Sequence, residues 1–379
     1  MKTPDAIVVG AGIVGAACAR ALARDDRRVL VLDAAPGTAG GATAAGMGHI
    51  IITDDSEAQF ELCHRSQQLW DELAPEFPVG VQRDECGCVW VAVDDEDLEA
   101  AQQKRDYYAA RGIRAEVLDQ RQLREAEPAL AHELVGGLRV PGDTVVYPPA
   151  AAEWLLAETE RRDGQIRRNA EVVAVASGAV TLADGSALSA PIIVNAAGDR
   201  ALHLLPDPRL HDLVRPRKGH LAITERGRPL IRHQVAELGY FRSAHGANQS
   251  SVAFNVQPRT TGQTLIGSSR QFGATHRAVD HGILARMLER AMELLPGLAD
   301  LRVIRTWTGF RAATADKLPY IGPVPGHEGL FVATGHEGLG ITTSLGTGGI
   351  IAAQVRGETP FIDAAPYRLD RPVAEWSVA

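Results

Sequence analysis

Two kinds of hydrophobic patterning alternate along the chain. The first opens the sequence with an apolar run at 6–9, a helix predicted over 13–24 with apolar residues on one face, and a second apolar run at 29–32. Short buried strands that alternate with helices are typical of a parallel sheet covered by helices. The same pattern returns as an apolar strand at 192–195 and as a strand followed by a glycine-rich turn and a helix at 329–355. These stretches predict an α/β domain.

The second kind of patterning occupies residues 217–308. Apolar and polar positions alternate over 251–257, which predicts a half-buried antiparallel strand with Asn255 and Gln257 on one face. An amphipathic helix is predicted over 281–295. The predicted strands of this region are 219–224, 239–242, 251–257, 265–269 and 303–308. We therefore expect a separate α+β domain with an antiparallel sheet.

The domain boundaries follow from where the pattern changes, and 379 residues suffice for two domains. Residues 81–141, with a strand pair expected around 79–93, join 216–308 in a substrate-binding domain. The α/β domain is then discontinuous and comprises residues 1–80, 142–215 and 309–379.

The charge balance narrows the classes of function. The 39 Lys and Arg residues face 47 Asp and Glu, which gives a net charge of −8 and a pI near 5.9. This balance argues against a protein that binds nucleic acid and against one that binds membranes through a polybasic surface. Because no apolar run approaches the ~18 residues that span a bilayer, we expect no transmembrane segment. We expect a cytoplasmic protein without a targeting peptide, with peripheral membrane attachment left open.

The four cysteines are expected to be reduced thiols: Cys18, Cys63, Cys86 and Cys88. Cys86-x-Cys88 lacks a second pair at the spacing of zinc ligands, so no metal site is predicted. A redox or subunit-contact role for Cys86 and Cys88 is the alternative.

The turn between the first strand and helix carries the first candidate chemistry. Gly10 permits a tight turn, Gly12 leaves room for a pyrophosphate, and Gly15 lets the helix pack closely on the strand. The free N–H groups of the helix start attract phosphates. Asp33 follows Gly15 by 18 residues, about the spacing of a carboxylate that binds ribose hydroxyls and disfavours NADP. This stretch predicts a Rossmann-like dinucleotide site and leaves FAD and NAD both open.

Two further glycine-rich stretches suit close approach to a flat ligand. Residues 36–49 are mostly small, and Gly335–Gly340 lead into a second helix whose start would also face a ligand.

Taken together, the motifs resemble the D-amino-acid oxidase-type FAD-dependent amine oxidoreductases over essentially the whole chain. The closest resemblance is to D-hydroxyproline dehydrogenases and to FAD subunits of multi-subunit amine dehydrogenases; glycine oxidase and D-amino-acid dehydrogenase also belong to the group. The motifs that carry it are Gly10–Gly15 with Asp33, Gly41–Met47, Val194–Gly198, Gly309–Arg311, Pro319–Gly322, Gly335–Gly340 and, most specifically, Phe254–Arg259 through Gly267–Arg270.

The resemblance implies non-covalently bound FAD. It implies that the pyrophosphate lies on the first glycine turn, the adenine near Asp33 and Val173, and the flavin near the small-residue loop and the second helix start. The implied FAD-binding residues are Gly10, Gly12, Ile13, Val14, Gly15, Asp33, Ala34, Gly41, Ala42, Thr43, Ala45, Gly46, Met47, Val173, Ala197, Gly198, Gly309, Arg311, His336, Gly338, Leu339, Gly340 and Ile341.

The resemblance also implies the catalytic residues Arg311, Asn255 and His49. Arg311 would take the substrate carboxylate with both guanidinium nitrogens. Asn255 stands where glycine oxidases carry a tyrosine, and Gly338 where they carry a further arginine. These departures favour a substrate larger than glycine, and His49 would line the same pocket.

The implied reaction is oxidation of an α-amino or cyclic imino acid by hydride transfer from Cα to flavin N5. Electrons would pass to a quinone, a partner flavin or O2. The alternatives are a glycine oxidase-like enzyme that produces H2O2, a 2-hydroxyacid dehydrogenase with His49 or His336 as base, and an FAD-binding subunit of a larger dehydrogenase. Substrate identity and homo- or hetero-oligomeric state stay open.

Overall fold

The protein forms two compact units in a computed structural model that describes residues 3–37, 39–239, 250–373 and 376. Most of the strand predicted at 239–242 lies outside the described residues. Unit 1 comprises Met1–Val81, Val146–Arg217 and Phe310–Ser377, and unit 2 comprises Gln82–Val145, Lys218–Gly309 and Val378–Ala379.

The elements of the described residues are numbered in chain order. The helices are α1 (Ile13–Arg24), α2 (Glu57–Leu73), α3 (Asp95–Ala109), α4 (Gln120–Ala126), α5 (Pro148–Glu160), α6 (His281–Leu294) and α7 (Gly340–Arg356). The strands are β1 (Ala6–Val9), β2 (Val29–Leu32), β3 (His49–Ile50), β4 (Cys88–Ala92), β5 (Glu116–Asp119), β6 (Gly136–Val140), β7 (Thr144–Val145), β8 (Gln165–Arg167), β9 (Val172–Ala176), β10 (Ala179–Leu182), β11 (Ala187–Ser189), β12 (Ile192–Asn195), β13 (Arg215–Thr224), β14 (Gln234–Glu237), β15 (Ser250–Pro258), β16 (Thr264–Gln271), β17 (Val303–Ala313), β18 (Tyr320–Pro323) and β19 (Leu330–Thr334).

Unit 1 is built around a six-stranded sheet in the order β18-β19-β12-β1-β2-β8. β1 runs parallel to β2 and β12, and β12 runs parallel to β19. Every residue of β1, β12 and β19 is buried, as expected for a parallel sheet that is covered on both faces. The carboxyl ends of β1, β2 and β12 therefore lie side by side at the edge where α1 begins.

A helix from the beginning of unit 1 packs closely against a helix from its end. α1 packs against α5 and α7. A Cβ atom added to Gly348 of α7 would lie only 2.7 Å from the carbonyl oxygen of Ala17 in α1. The absence of a side chain at Gly348 thus allows the two helices to approach closely.

Unit 2 contains an eight-stranded sheet in the order β17-β13-β16-β15-β14-β4-β6-β5. β14 and β4 are parallel, whereas β15 is antiparallel to both of its neighbours. α6 covers one face, where Met287 shares an apolar cluster with Phe254 and Val256 of β15. The predicted fold class, a parallel-sheet domain with a second antiparallel-sheet domain, is confirmed.

The expectation of a half-buried strand at 251–257 is wrong. Phe254 and Val256 are fully buried, and on the opposite face Asn255 and Gln257 retain only 7% and 0% exposure. Alternation of polar and apolar residues predicts which side chains share a face, but it does not reveal whether the polar face is covered.

The strand pair expected around 79–93 is also partly wrong. Val79–Val81 forms a short 3-10 turn in which the N–H of Val81 donates to the carbonyl of Pro78. Pro78 fixes its own φ angle and cannot donate to a sheet, which favours a turn over a strand here. Only Cys88–Ala92 of this stretch is an extended strand.

Candidate functional site

The glycine turn after β1 owes its shape to two glycines without room for a side chain. Gly10 has φ +105°, and a Cβ there would lie 2.5 Å from the carbonyl oxygen of Ala196. A Cβ on Gly15 would lie 1.9 Å from the carbonyl oxygen of Gly10. Both positions therefore require glycine for the backbone to pass.

Gly12 differs from these two because its surroundings are open. A Cβ on Gly12 would meet only Thr43 Oγ1, at 3.3 Å. That hydroxyl accepts a hydrogen bond of 3.0 Å from the Ile13 N–H, and Gly12 offers α1 no side-chain cap. The space beside Gly12 is thus a cradle that a side chain would fill, at a helix start that favours anions.

Asp33 lies at the end of β2, beside the glycine turn. Its carboxylate accepts the Ala11 N–H at 2.6 Å and the Ala35 N–H at 2.7 Å, one on each oxygen. A carboxylate has about four acceptor sites. Two sites therefore remain for ribose hydroxyls, and the two backbone bonds hold the group in place.

The small-residue loop that follows is joined to the start of α7. A Cβ on Gly46 would lie 2.9 Å from Ile341 Cδ1. The Thr342 hydroxyl donates to the carbonyl of His49 at 2.9 Å and accepts from the Ile51 N–H at 3.2 Å. The other predicted residues of the loop, Gly41, Ala42, Ala45 and Met47, precede His49 on the segment that these contacts join to α7.

The two helix starts lie next to each other. A Cβ on Gly340 would lie 3.8 Å from Val14 Cγ2 of α1, and Leu339 gives α7 no side-chain cap. The predicted residues from both helices, Ile13 and Val14 on one side and Leu339 and Gly340 on the other, are thereby brought together. Two neighbouring helix N-termini provide two sets of N–H groups and two positive dipole ends.

Of the other predicted FAD residues, Ala34, Val173, Ala197 and Gly198 belong to unit 1, whereas Gly309 lies within β17 and belongs to unit 2. Ala197 and Gly198 follow β12, and the Gly198 carbonyl accepts the Thr334 hydroxyl at 2.6 Å. Ala34 directly follows Asp33. Val173 of β9 is 46% exposed, which is unusual for valine and leaves an apolar surface available.

Arg311, His49 and Gly338 form the second part of the site. A Cβ on Gly338 would lie 3.8 Å from Arg311 Nε. Burial, followed by the positive charge of Arg311, lowers the pKa of His49 to about 3. The Nε2 atom of His49 is buried and has no hydrogen-bond partner among the residues that the structure describes. The imidazole of His49 is therefore neutral, its Nε2 atom has no hydrogen-bond partner among the described residues, and the Arg311 guanidinium is close enough to affect its pKa.

His336 is committed to the helix that follows it. Its Nε2 lies 2.9 Å from Thr347 Oγ1, and the Thr347 hydroxyl donates to the carbonyl of Thr343 at 2.9 Å. Thr347 must then accept from His336, so Nε2 carries the proton. Burial lowers the pKa of His336 to about 3, and the ring anchors the turn to α7.

In unit 2, Asn255 belongs to a set of amides that share one face of the sheet. Asn255 Oδ1 and both amide atoms of Gln257 are buried without a hydrogen-bond partner in the described part of the chain, and the same holds for both amide atoms of Gln234. Gln234 was not identified from the sequence, because β14 was not recognised as a strand. Its pairing with β15 was the missing signal.

The residues of unit 1 fit a flavin dinucleotide. The cradle at Gly12, the spare acceptor sites of Asp33 and two helix starts whose N-cap residues supply no side-chain cap suit a pyrophosphate, a ribose and an electron-rich ring. Within the described residues, no cluster of potential ligands could hold a metal ion, and no helix is long and apolar enough to cross a membrane.

Residues 5–354 match the family model described as DAO, FAD dependent oxidoreductase. The chain belongs to this family, and it is therefore an FAD-dependent enzyme. The predicted family and the predicted cofactor are confirmed.

The relatives cover the whole length of the chain. Glycine oxidase of Geobacillus kaustophilus is 29% identical and the alignment covers 99% of this chain and 98% of that protein. Hydrogen cyanide synthase subunit HcnC of Pseudomonas aeruginosa is 27% identical, with 97% and 95% covered. The crystal structure of glycine oxidase from Geobacillus kaustophilus superposes with a TM-score of 0.88 at 26% identity, covering 99% of this chain and 100% of that chain. The chain is thus similar over its full length to members of this family that include a glycine oxidase.

Proposed function

We propose that the protein oxidises an α-amino or cyclic imino acid of the D-hydroxyproline or D-amino-acid type. The observation that carries the proposal is the neutral, uncommitted imidazole of His49 beside Arg311, with glycine at position 338. FAD, when bound, supplies the hydride acceptor at flavin N5.

Arg311 is assigned to the substrate carboxylate. A guanidinium offers two parallel N–H groups that match the two oxygens of a carboxylate, which fixes orientation as well as position. Holding the carboxylate orients Cα–H, and such positioning accounts for a large part of enzymatic rate enhancement.

His49 is assigned to the substrate amine as a hydrogen-bonding group, not as a strong base. With a pKa of about 3, its imidazole stays neutral at physiological pH and is a weak proton acceptor. Oxidation of an amine that is already neutral needs no strong base, whereas oxidation of a 2-hydroxy acid must remove a hydroxyl proton. The low pKa of His49 therefore supports an amine substrate over a 2-hydroxy acid.

Asn255 and Gly338 are assigned to substrate size. Glycine oxidases carry a tyrosine and an arginine at the matching points of the motif, so the smaller residues here favour a larger substrate. We expect Asn255→Tyr to lower kcat/KM for the larger substrate without loss of flavin, measured by steady-state turnover. Efficient turnover of glycine or sarcosine by the wild type would contradict this assignment.

The division of labour between the units is part of the proposal. The segments 1–80, 142–215 and 309–379 would bind FAD, and 81–141 with 216–308 would bind the substrate. The glycine cradle, Asp33 and both helix starts all belong to the first set, which supports this assignment.

We further propose a dehydrogenase that passes electrons to a quinone or a partner flavin. The resemblance over Phe254–Arg270 to dehydrogenases with electron-accepting partners supports it, as does a relative, HcnC, whose name describes it as a subunit. A glycine oxidase-like reaction with O2 is the second candidate, favoured by the full-length likeness to glycine oxidase.

An anaerobic screen of flavin bleaching tests the reaction. The holoenzyme is mixed with D- and L-amino acids, prolines, hydroxyprolines, glycine, sarcosine and 2-hydroxy acids, and loss of flavin absorbance is followed. We expect amino or imino acids larger than glycine to bleach the flavin fastest. Bleaching by 2-hydroxy acids alone, or by no compound of the screen, would overturn the proposal.

A further inference from the structure

A glutamate with an unfavourable backbone conformation lies in the turn between β19 and α7. Glu337 has φ +48°, in the left-handed region that residues other than glycine rarely adopt. Such a conformation persists only where the surroundings impose it, and such positions cluster at functional sites. Gly338 and Gly340 follow in the same turn, so glycine is common around this position. The glutamate at 337 therefore indicates a role for its carboxylate.

Three contacts hold Glu337 in place. Its N–H donates to the carbonyl of Ala312 at 2.9 Å. One carboxylate oxygen accepts the Gly338 N–H at 2.7 Å, and the other accepts from the Arg217 guanidinium at 3.1 Å. The side chains of Arg217 and Glu337 are only 15% and 17% exposed, so solvent and salt screen this ion pair less than one on the surface. Both carboxylate oxygens of Glu337 are thus hydrogen-bonded.

The turn that Glu337 stabilises borders Arg311. Ala312, whose carbonyl accepts from Glu337, directly follows Arg311 in β17. A Cβ on Gly338 would lie 3.8 Å from Arg311 Nε, and the Gly338 N–H donates to Glu337 itself. All of these residues, together with Arg217, belong to unit 1. The Glu337 carboxylate is therefore held one residue away from the point where the turn meets Arg311.

A carboxylate at this place is a potential competitor of the substrate. Arg311 is assigned to the substrate carboxylate, and a guanidinium binds an internal carboxylate with the same geometry. The internal group has an advantage, because the chain itself keeps it at a high effective concentration. A second arginine that pairs with the internal carboxylate removes this competition, and it also balances the negative charge next to Arg311.

We propose that Arg217 is a positioning residue. By pairing with Glu337 it fixes the turn that leads into α7, and it prevents this carboxylate from drawing the Arg311 guanidinium away from the substrate. The inference rests on the proposed function, in which Arg311 binds the substrate carboxylate. Arg217 belongs to none of the motifs on which the resemblance to the family rests, so it adds a new residue to the site.

Substrate binding to variants of the holoenzyme tests the proposal. Anaerobic stopped-flow reduction of the flavin, by the amino acid that reduces the wild type fastest, gives Kd and the reduction rate constant separately. Arg217→Met should raise Kd by about tenfold or more, since a charged partner is lost, and should change the rate constant by less than about twofold. Titration with propionate, followed by flavin absorbance, repeats the Kd measurement with a carboxylate that has no amine to oxidise.

The double variant Arg217→Met/Glu337→Gln provides the decisive comparison. Glutamine keeps the length of the side chain and can still accept the Gly338 N–H, but it has no charge that competes for Arg311. We expect Glu337→Gln alone to bind substrate like the wild type, and we expect it to restore most of the affinity that Arg217→Met loses. A pair with only a structural role would instead leave the double variant no better than Arg217→Met.

Arg356→Met is the matched control. Arg356 lies at the other end of α7, where it pairs with Asp25, and its loss should leave both Kd values unchanged. Arg217→Lys keeps the charge and should retain most of the affinity. Flavin content and thermal unfolding verify that each variant is folded. If Arg217→Met does not fold, Arg217→Gln takes its place, with a rise in Kd and its reversal by Glu337→Gln again expected.

The outcomes separate the two proposals. If no amino or imino acid reduces the wild-type flavin, the proposed function itself fails. If Arg311→Met binds substrate and propionate as tightly as the wild type, the assignment of Arg311 fails and the role of Arg217 fails with it. If Arg311→Met weakens binding but Arg217→Met does not, or if Glu337→Gln restores nothing, the oxidation stands and the role of Arg217 is overturned.

Discussion

Arg311 is the residue on which the proposed chemistry depends most. Replacing it by methionine removes the bidentate partner of the carboxylate but keeps an unbranched side chain about as long as the arginine stem up to Nε. We expect kcat/KM for amino-acid substrates to fall by a factor that corresponds to a loss of about 2–4 kcal/mol of transition-state stabilisation. Most of this loss should appear as a higher KM. Steady-state kinetics measure this, and unchanged thermal unfolding is the control. Normal turnover by the variant would make Arg311 a structural residue.

His336 gives the protein a sensitivity to acid that can be measured. In the folded chain burial lowers its pKa from 6.5 to about 3, so only the unfolded chain takes up its proton in between. As far as His336 is concerned, the free energy of unfolding is therefore greatest above pH 6.5. It decreases as the pH drops toward 3, by at most about 1.4 kcal/mol per pH unit. His336→Gln should make this slope shallower in denaturant titrations, whereas an unchanged slope would show that His336 is not responsible.

At the scale of elements, two substitutions in the first glycine turn should distinguish a loss of FAD binding from a loss of folding. Gly12→Val should fill the cradle and abolish FAD binding, while the apoprotein keeps its secondary structure, because the new side chain meets only the Thr43 hydroxyl. Gly15→Val should instead destabilise the fold, since its Cβ would lie 1.9 Å from the Gly10 carbonyl. Flavin content and circular dichroism of both variants distinguish these effects. A yellow Gly12→Val protein would contradict the assignment.

The same turn shows which elements can be predicted from sequence. β1, α1 and β2 lie where the pattern predicts them, because the apolar runs, the glycines and the polar stretch that ends the helix are local signals. The burial of Asn255 and the presence of Gln234 beside Gln257 depend on strands that are distant in sequence. Such pairing and coverage leave no local trace, so this set of buried amides appears only in the structure.

At the scale of the whole molecule, the electron acceptor decides between dehydrogenase and oxidase. We expect reoxidation of the substrate-reduced enzyme to be slow in air and fast with a quinone analogue or dye. Stopped-flow absorbance with each acceptor measures this, and glycine oxidase provides the comparison. Reoxidation by O2 that outpaces turnover with the dye would identify an oxidase.

The interleaved path of the chain constrains how the protein is made. β1 pairs with β12, and α1 packs against α7, which ends only at Arg356. During synthesis β1 and α1 therefore emerge long before β12 and α7, and unit 1 cannot close until α7 has left the ribosome. Long-range pairing of this kind slows folding and leaves apolar strands exposed meanwhile. Nascent chains truncated before α7 should accordingly depend on chaperones, and no contiguous fragment should fold into unit 1.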